Sequence, residues 1–176
     1  MVHQQAYRAA GDGKHRATEP MNRRRLVAAA VLLAASLASS ESGAQSSPFA
    51  ALAGSWSGGG TVSLDDGSIE RIRCRARYAA AGPTMEMSLT CASDAYKFNL
   101  AANVQAEGSA ITGTWSESSR NISGSLQGRG GGGNFEAVVS AAGFNANISL
   151  RTSGNRQTVT LRADSQFRGA NISMSR

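Results

Sequence analysis

Four arginines alternate with other residues along one short stretch of the sequence: Arg71, Arg73, Arg75 and Arg77. In an extended strand every second residue points to the same face, so the four guanidinium groups form one row with a spacing of about 6.6–7 Å. Guanidinium groups bind phosphates and carboxylates through paired hydrogen bonds, which suits an anionic glycan, a lipid head group or an acidic protein in the cell envelope. The alternative interpretation is an ordinary solvated face whose arginines pair with nearby acids such as Glu70 and Glu86.

Two tryptophans, Trp56 and Trp115, are the other candidates for a binding site. Both follow a glycine closely, and both lie in stretches that alternate between small and apolar residues. Large aromatic rings could line a pocket for a small apolar ligand. The alternative is that they plug the ends of a closed sheet, where their volume fills space well.

Residues 21–44 contain the three parts of a cleavable export signal: a basic start at Met21–Arg25, an apolar run at Leu26–Ala38 and small residues up to Ala44. The apolar run is too short to span a bilayer as a helix. We therefore expect cleavage near Ala44, with either Sec or twin-arginine export. The mature chain would be a single domain over residues 45–176, without a transmembrane segment, in the periplasm or medium of a Gram-negative bacterium. Residues 1–20 are interpreted as a mis-assigned start, or alternatively as an extended n-region.

Cleavage would leave a mature chain without histidine, because His3 and His15 both precede Met21. Histidine is the commonest general base and the commonest metal ligand, and it is the usual partner of a catalytic serine. The carboxylates are scattered, and the two cysteines are too far apart for a CxxC redox motif. We therefore expect a non-catalytic protein that needs neither a cofactor nor a metal.

The charge of the mature segment argues against nucleic acid as a partner. It keeps twelve basic and nine acidic residues, which gives a net charge of +3, whereas the full sequence has +6. Eleven of these twelve bases are arginines. This mildly basic balance differs from the strongly basic composition of nucleic-acid-binding domains.

The elements that would position these residues are β-strands. From Trp56 onward, apolar and polar residues alternate with a period of two, and Gly, Asp or Asn interrupt the pattern every eight to twelve residues. We count nine or ten strands in an all-β, antiparallel up-and-down meander. A closed or nearly closed barrel would remove the unpaired edges of such a sheet. A β-sandwich is the competing arrangement.

One hairpin is predicted in its register. If the chain folds about Gly82-Pro83, so that Ala81 opposes Thr84, apolar residues oppose apolar residues throughout and Cys74 opposes Cys91. Directly opposed Cβ atoms lie about 4.5–5.5 Å apart, close enough for a disulfide after modest adjustment. In an oxidising compartment we expect that bond to form, the alternative being two free buried thiols.

Two short motifs resemble known barrel families. Leu52-Ala-Gly-Ser-Trp56 resembles the Gly-x-Trp signature at the first strand of lipocalin-type barrels, and Ile111-Thr-Gly-Thr-Trp115 resembles the Gly-Thr-Trp opening of avidin-type barrels. These calycin-type families hold a small ligand inside an up-and-down barrel, so the resemblance implies that fold and an interior ligand but no particular ligand-binding residue. The mature chain also resembles small exported proteins of unknown function from alpha-proteobacteria, which implies a location but no mechanism.

Overall fold

The computed structural model describes residues 46–176, so the export signal predicted at residues 21–44 and the preceding residues 1–20 lie outside the described residues. Ten strands form one closed antiparallel barrel, in which each strand pairs with the next in sequence and the last pairs with the first. The prediction of an all-β meander closed into a barrel is confirmed, and the β-sandwich alternative is wrong. No helix among the described residues is long and apolar enough to cross a membrane. The strands are β1 (Gly54–Leu64), β2 (Ile69–Ala81), β3 (Thr84–Ala92), β4 (Lys97–Glu107), β5 (Ala110–Glu117), β6 (Ile122–Gly131), β7 (Asn134–Ala141), β8 (Phe144–Ser153), β9 (Arg156–Ala163) and β10 (Phe167–Ser175).

The predicted hairpin between β2 and β3 is confirmed. Ala81 pairs with Thr84, and the register continues without a shift to the pair of Cys74 and Cys91. A disulfide joins these two cysteines inside the barrel, and both are almost completely buried. The alternation of small apolar and charged residues sets this register, because a slip by one residue would turn every arginine of β2 into the interior.

The glycine-rich stretch at residues 128–133 differs from the expectation drawn from its sequence. Its composition predicts a flexible hairpin loop, but Gly128 to Gly131 belong to β6 and only Gly132 and Gly133 form the turn. At Gly128 and Gly130, an added Cβ atom would collide with the backbone of β7. Glycine is therefore needed at these two positions because the two strands approach closely. The loop interpretation is right for Gly132 and Gly133 and wrong for Gly128 to Gly131.

The barrel has two distinct ends, which we call the floor and the mouth. The floor contains the short turns that follow β2, β4, β6 and β8, and each of these starts with a glycine at positive φ: Gly82, Gly108, Gly132 and Gly154. Two-residue hairpins favour this conformation because its twist matches that of the strands. The mouth contains the connections at residues 65–68, 93–96, 118–121, 142–143 and 164–166. Most of the mouth connections are longer than the floor turns, so the two ends present different surfaces.

Candidate functional site

The interior wall of the barrel is unevenly filled. On β2 and β10 the inward side chains are tightly packed, and Ile72, Ile172 and Met174 are at most 7% exposed. Apolar residues that point inward from β3, β6, β8 and β9 remain partly exposed: Met87, Leu89, Leu126, Leu150, Val159 and Leu161. The strand backbones shield these side chains from the outside. Their exposed area therefore faces space within the barrel.

The strand number and the small inward residues explain this space. Barrel diameter grows with the number of strands, and eight strands already give an interior that side chains can fill or that one small ligand can occupy. This barrel has ten strands, and many inward positions carry alanine or glycine, among them Ala76, Ala102, Ala137 and Gly113. Side chains of that size fill less of a wide interior than larger apolar side chains would. Two of these small residues pair directly with partly exposed apolar residues of the wall, Ala102 with Met87 and Gly113 with Leu126.

Polar groups inside the barrel are few and hydrogen-bonded. The Tyr78 hydroxyl donates to Gln157 Oε1 at 3.0 Å, and Gln157 Nε2 donates to Thr152 Oγ1 at 3.3 Å. Burial raises the pKa of Tyr78 to about 12, although the hydrogen bond with Gln157 lowers it slightly. Tyr78 is thus a neutral donor near the floor whose proton already has an acceptor.

The segment at residues 47–53 covers the floor. Phe49 and Leu52 are 0% and 1% exposed, and the Phe49 ring stacks on Phe135 with their centroids 5.5 Å apart. Backbone hydrogen bonds from Ala50 to Ser47 and from Leu52 to Phe49 fold the segment into tight turns. These turns bring both apolar side chains onto the open end of the sheet, so the floor is closed by this segment.

Trp56 lies at this closed floor and is 2% exposed. Its Nε1 donates to the carbonyl oxygen of Leu52 at 2.7 Å, and the Arg176 guanidinium lies over its ring, 4.5 Å from the centroid. Arg176 also donates to the carbonyl oxygen of Ala53 at 2.6 Å. The indole thus joins the covering segment, the first strand and the end of the last strand. This position fits the interpretation of Trp56 as a plug, which stays a prediction.

Trp115 lies in a different environment, on the inner wall toward the mouth. It is partly exposed, its Nε1 donates to the Ser125 carbonyl oxygen at 3.1 Å, and its ring meets Phe144 edge-on with centroids 6.1 Å apart. Phe98 and Phe167 also lie beside mouth connections and are partly exposed. Tyr96, Ile69 and Ile122 are more exposed at the same end. The structure therefore separates the two predicted tryptophans, and it places Trp115 against Phe144 at the end of the barrel where the other exposed apolar residues lie.

Sequence reasoning missed this apolar mouth because its residues lie far apart in the chain. The sequence does contain a signal for it, because aromatic residues lie at or beside three connections that are an even number of strands apart: Tyr96, Phe98, Phe144 and Phe167. In an up-and-down barrel, every second connection lies at the same end. Aromatic residues that recur at alternate connections should therefore meet around one opening.

Within residues 46–176, Glu117 is the one acidic side chain that is buried, and it ties the rim of the mouth together. Its carboxylate accepts hydrogen bonds from the backbone N–H groups of Asn99, Ser119 and Arg120 at 2.8–3.0 Å. The Arg120 guanidinium lies 3.7 Å from this carboxylate and 4.6 Å from the centre of the Phe98 ring. Burial alone would raise the pKa of Glu117, but the hydrogen bonds outweigh it and lower the pKa below its ordinary value.

Replacing Glu117 by glutamine should lower the free energy of unfolding by about 2 kcal/mol at pH 7, because hydrogen bonds to a buried charge are lost. A carboxylate with a lowered pKa stabilises the fold above the unfolded-state value of about 4.3, and that contribution is lost as the pH falls through the folded-state pKa. The difference between wild type and Glu117→Gln should therefore shrink below about pH 4. Urea denaturation from pH 7 to pH 3 measures it. A difference that stays constant over this range would contradict the role of the ionised carboxylate.

The predicted arginine row points outward from β2, and all four side chains are exposed. The ion pairs present among residues 46–176 are Arg120 with Glu117 and Arg168 with Asp164, so none of the four arginines has an acidic partner there. The Glu70 carboxylate instead accepts a hydrogen bond from Ser93 Oγ at 2.7 Å, and Glu86 pairs across the sheet with Ala79. The acids named in the ordinary-surface interpretation therefore do not neutralise this row.

The described residues hold no group of three His, Cys, Asp or Glu side chains placed to bind a metal ion. The chemistry that the barrel offers is thus an apolar interior, an apolar mouth and a cationic outer face.

Comparison with known proteins identifies the fold. No family model matches this sequence, and no curated protein matches it. The solved structure of Rv2717c from M. tuberculosis is similar with a TM-score of 0.60 and 14% identity, over 73% of this chain and 94% of that chain. The S-type phycobiliprotein lyase CPES from Guillardia theta is similar with a TM-score of 0.57 and 9% identity, over 73% of this chain and 89% of that chain. Both are calycin-like β-barrels, and at these identities the likeness shows a shared β-barrel fold alone.

Proposed function

We propose that this protein is a non-catalytic, exported barrel protein that binds a small, largely apolar ligand in its interior. The observation that carries the proposal is the group of inward-pointing apolar side chains that remain partly exposed, from Met87 on β3 to Leu161 on β9. Apolar side chains that line unfilled space lack packing partners on one side, and a ligand would supply them. Covering such surface is favourable by about 25 cal/mol per Å².

The chemistry of the interior favours a neutral ligand. No arginine or lysine points into the barrel from the ten strands, so an anionic group held against the middle of the wall would find no countercharge on these strands. The Glu117 carboxylate is already hydrogen-bonded, and Tyr78 and Gln157 are bonded to each other. A ligand buried here must therefore gain its affinity from apolar contact, with polar atoms left near the mouth.

The two ends of the barrel indicate the direction of entry. Phe49 and Leu52 cover the floor, whereas Tyr96 and Ile122 remain 42% and 39% exposed at the mouth. Exposed apolar side chains beside an opening attract an apolar ligand and are desolvated when it binds. Entry at the mouth would place the ligand first against Trp115 and then against the leucines of the wall. The calycin-like fold supports an interior site of this kind, and it brings no ligand identity to this chain.

Titration with the neutral apolar fluorophore N-phenyl-1-naphthylamine tests the interior site. We expect a saturable increase in fluorescence with wild type and at least about tenfold weaker binding to Leu126→Trp, whose indole would occupy the cavity. Val138→Trp is the matched control, because Val138 is 38% exposed on the outer face of the adjacent strand. This variant places the same indole ring on the outer face of the barrel, so it should bind the dye with the affinity of wild type.

Circular dichroism of the three proteins should show the same fold, and Ala137→Phe provides a second interior blockade from another strand. Equal dye binding by both interior variants and by the control would refute the interior site. If both interior variants lose dye binding, native mass spectrometry of the protein from its host should identify the natural ligand as an adduct of defined mass.

Export is the remaining part of the proposal, and the disulfide between Cys74 and Cys91 supports it, because structural disulfides persist in oxidising compartments. The intact mass of the protein from the periplasmic fraction should match a chain that begins at Gln45. It should also be two hydrogens lighter than the mass of the same chain after reduction. A mass that retains residues 21–44, found in the cytoplasmic fraction, would contradict export.

A further inference from the structure

We propose that the arginine stripe, defined as Arg71, Arg73, Arg75 and Arg77, is a second binding site on the outside of the barrel for a linear acidic polysaccharide. This site is separate from the proposed interior site. The strand that carries it also contributes Ile72, Cys74 and Ala76 to the tightly packed inner wall. Binding on one face of β2 therefore does not require a vacant interior behind it.

The stripe is long and only one residue wide. Along a strand, four alternate residues cover about 20 Å. The outward residues that pair with it are small and neutral: Ser55, Ser57, Gly59 and Thr61 on β1, and Ser88, Thr90 and Ala92 on β3. The positive charge is therefore arranged as a line, bordered on each side by rows that are rich in hydroxyl groups.

An open groove follows the floor half of this line. It has a volume of about 490 Å³, and Arg75, Arg77 and Arg176 contribute its cationic groups. Its hydroxyl groups come from Ser55, Ser57, Ser88, Thr90 and Ser175. Arg75 and Arg77 lie between the small residues of β1 and those of β3. A ligand in this groove would meet guanidinium groups and hydroxyl groups together.

The absence of compensating acids makes the stripe costly for the fold. Like charges about 7 Å apart repel one another, and none of the four arginines has an acidic partner among the described residues. An anionic ligand would remove this repulsion and gain charge-assisted hydrogen bonds, which a planar guanidinium group forms in pairs with a carboxylate.

The linear arrangement distinguishes an acidic polysaccharide from other anionic partners. A membrane surface is a plane and would need positive charge on the neighbouring rows as well, which are neutral here. Single-stranded nucleic acid needs aromatic side chains for base stacking, and none borders the stripe on β1 or β3. A sugar chain, by contrast, presents carboxylates along a line and hydroxyl groups on both sides, which match the arginines and the flanking serines and threonines.

The test uses oligogalacturonate as the carboxylated sugar chain, with dextran oligomers as the neutral control chain. Calorimetry with the disulfide-bonded protein should show binding of oligogalacturonate that weakens as salt is raised, and none of dextran. Arg75→Gln/Arg77→Gln should bind at least about tenfold more weakly, because two of the four charge-assisted contacts are lost. Arg151→Gln/Arg162→Gln removes the same charge from the outer faces of β8 and β9 and should change the affinity by less than about twofold.

Thermal unfolding distinguishes lost binding from lost folding, because relief of repulsion should leave Arg75→Gln/Arg77→Gln at least as stable as wild type. Equal weakening by both double variants would overturn the proposal, since it would mean that net charge alone drives binding. Tighter binding to phosphatidylglycerol vesicles or to polyglutamate than to oligogalacturonate would also overturn it, in favour of a membrane or an acidic protein. Fluorophore binding in the interior should be the same in all these variants, so failure of one site is distinguishable from failure of the other.

Discussion

Replacing Gly60 by alanine should destabilise the barrel by about 3 kcal/mol or more, the upper range for overpacking in a well-packed site. Gly60 lies on β1, where the first strand pairs with the last through the register of Gly60 with Ile172. A Cβ atom at this position would run into the carbonyl oxygen of Asn171 on β10. That atom is backbone, so no side-chain rotation can relieve the collision. The two strands would have to separate where the barrel closes.

Gly131→Ala is the matched control for this prediction. Gly131 is also a strand glycine without positive φ, and the nearest atom to its added methyl group would be Pro48 Cβ at 3.9 Å. We expect its free energy of unfolding to stay within about 0.5 kcal/mol of wild type, or to rise slightly. Urea denaturation of the three proteins measures both values. Similar stabilities for the two variants would contradict the claim that close strand approach at the closure requires glycine.

Removing the disulfide by Cys74→Ala/Cys91→Ala should lower the free energy of unfolding by about 3 kcal/mol, the value for a bridge that closes a loop of roughly this size. The two cysteines are 17 residues apart in sequence. For a domain of this length, we expect the melting temperature to fall by roughly 10 °C. The main cause is the greater freedom of the unfolded chain, because the hairpin register is also held by apolar pairs on either side.

Measuring the stability of reduced wild type separates the effect of the covalent bridge from the effect of the packing of the two cysteine side chains. The reduced protein keeps both sulfur atoms, so a loss of stability that it shares with the double alanine variant comes from the covalent constraint. Because Cys74 and Cys91 are 2% and 3% exposed, we expect reductant to act only after denaturant has opened the barrel. Rapid reduction of the native protein would contradict this account, and so would an unchanged melting temperature for reduced wild type and for the double alanine variant.

The hairpin between β2 and β3 shows how much of the structure local sequence alone can predict. The alternation of Ile72, Cys74 and Ala76 with arginines sets the faces, Gly82-Pro83 sets the turn, and the cysteines set the register. These signals lie within about 20 residues and agree with one another. The sequence therefore predicted the pairing and the disulfide, since both depend on neighbours in the chain.

The glycine-rich stretch of β6 shows where such reasoning fails. Composition alone equates several glycines with a loop. In the structure Gly128 and Gly130 are strand residues, because β7 comes too close for side chains at these positions. Strand curvature arises from closure of the whole sheet. No local sequence pattern in β6 predicts this curvature.

The sequence by itself determined the strand class, the number of strands to within one, the outward direction of the arginines and the cysteine pair. Each of these follows from the period of two and from short-range turn chemistry. Only the tertiary structure decided that the sheet closes between β1 and β10, that Trp56 lies at the covered floor while Trp115 lies toward the mouth, and that the arginine row has no acidic partner among the described residues. These features join residues that are far apart in the chain, and their positions depend on the diameter and stagger of the closed barrel.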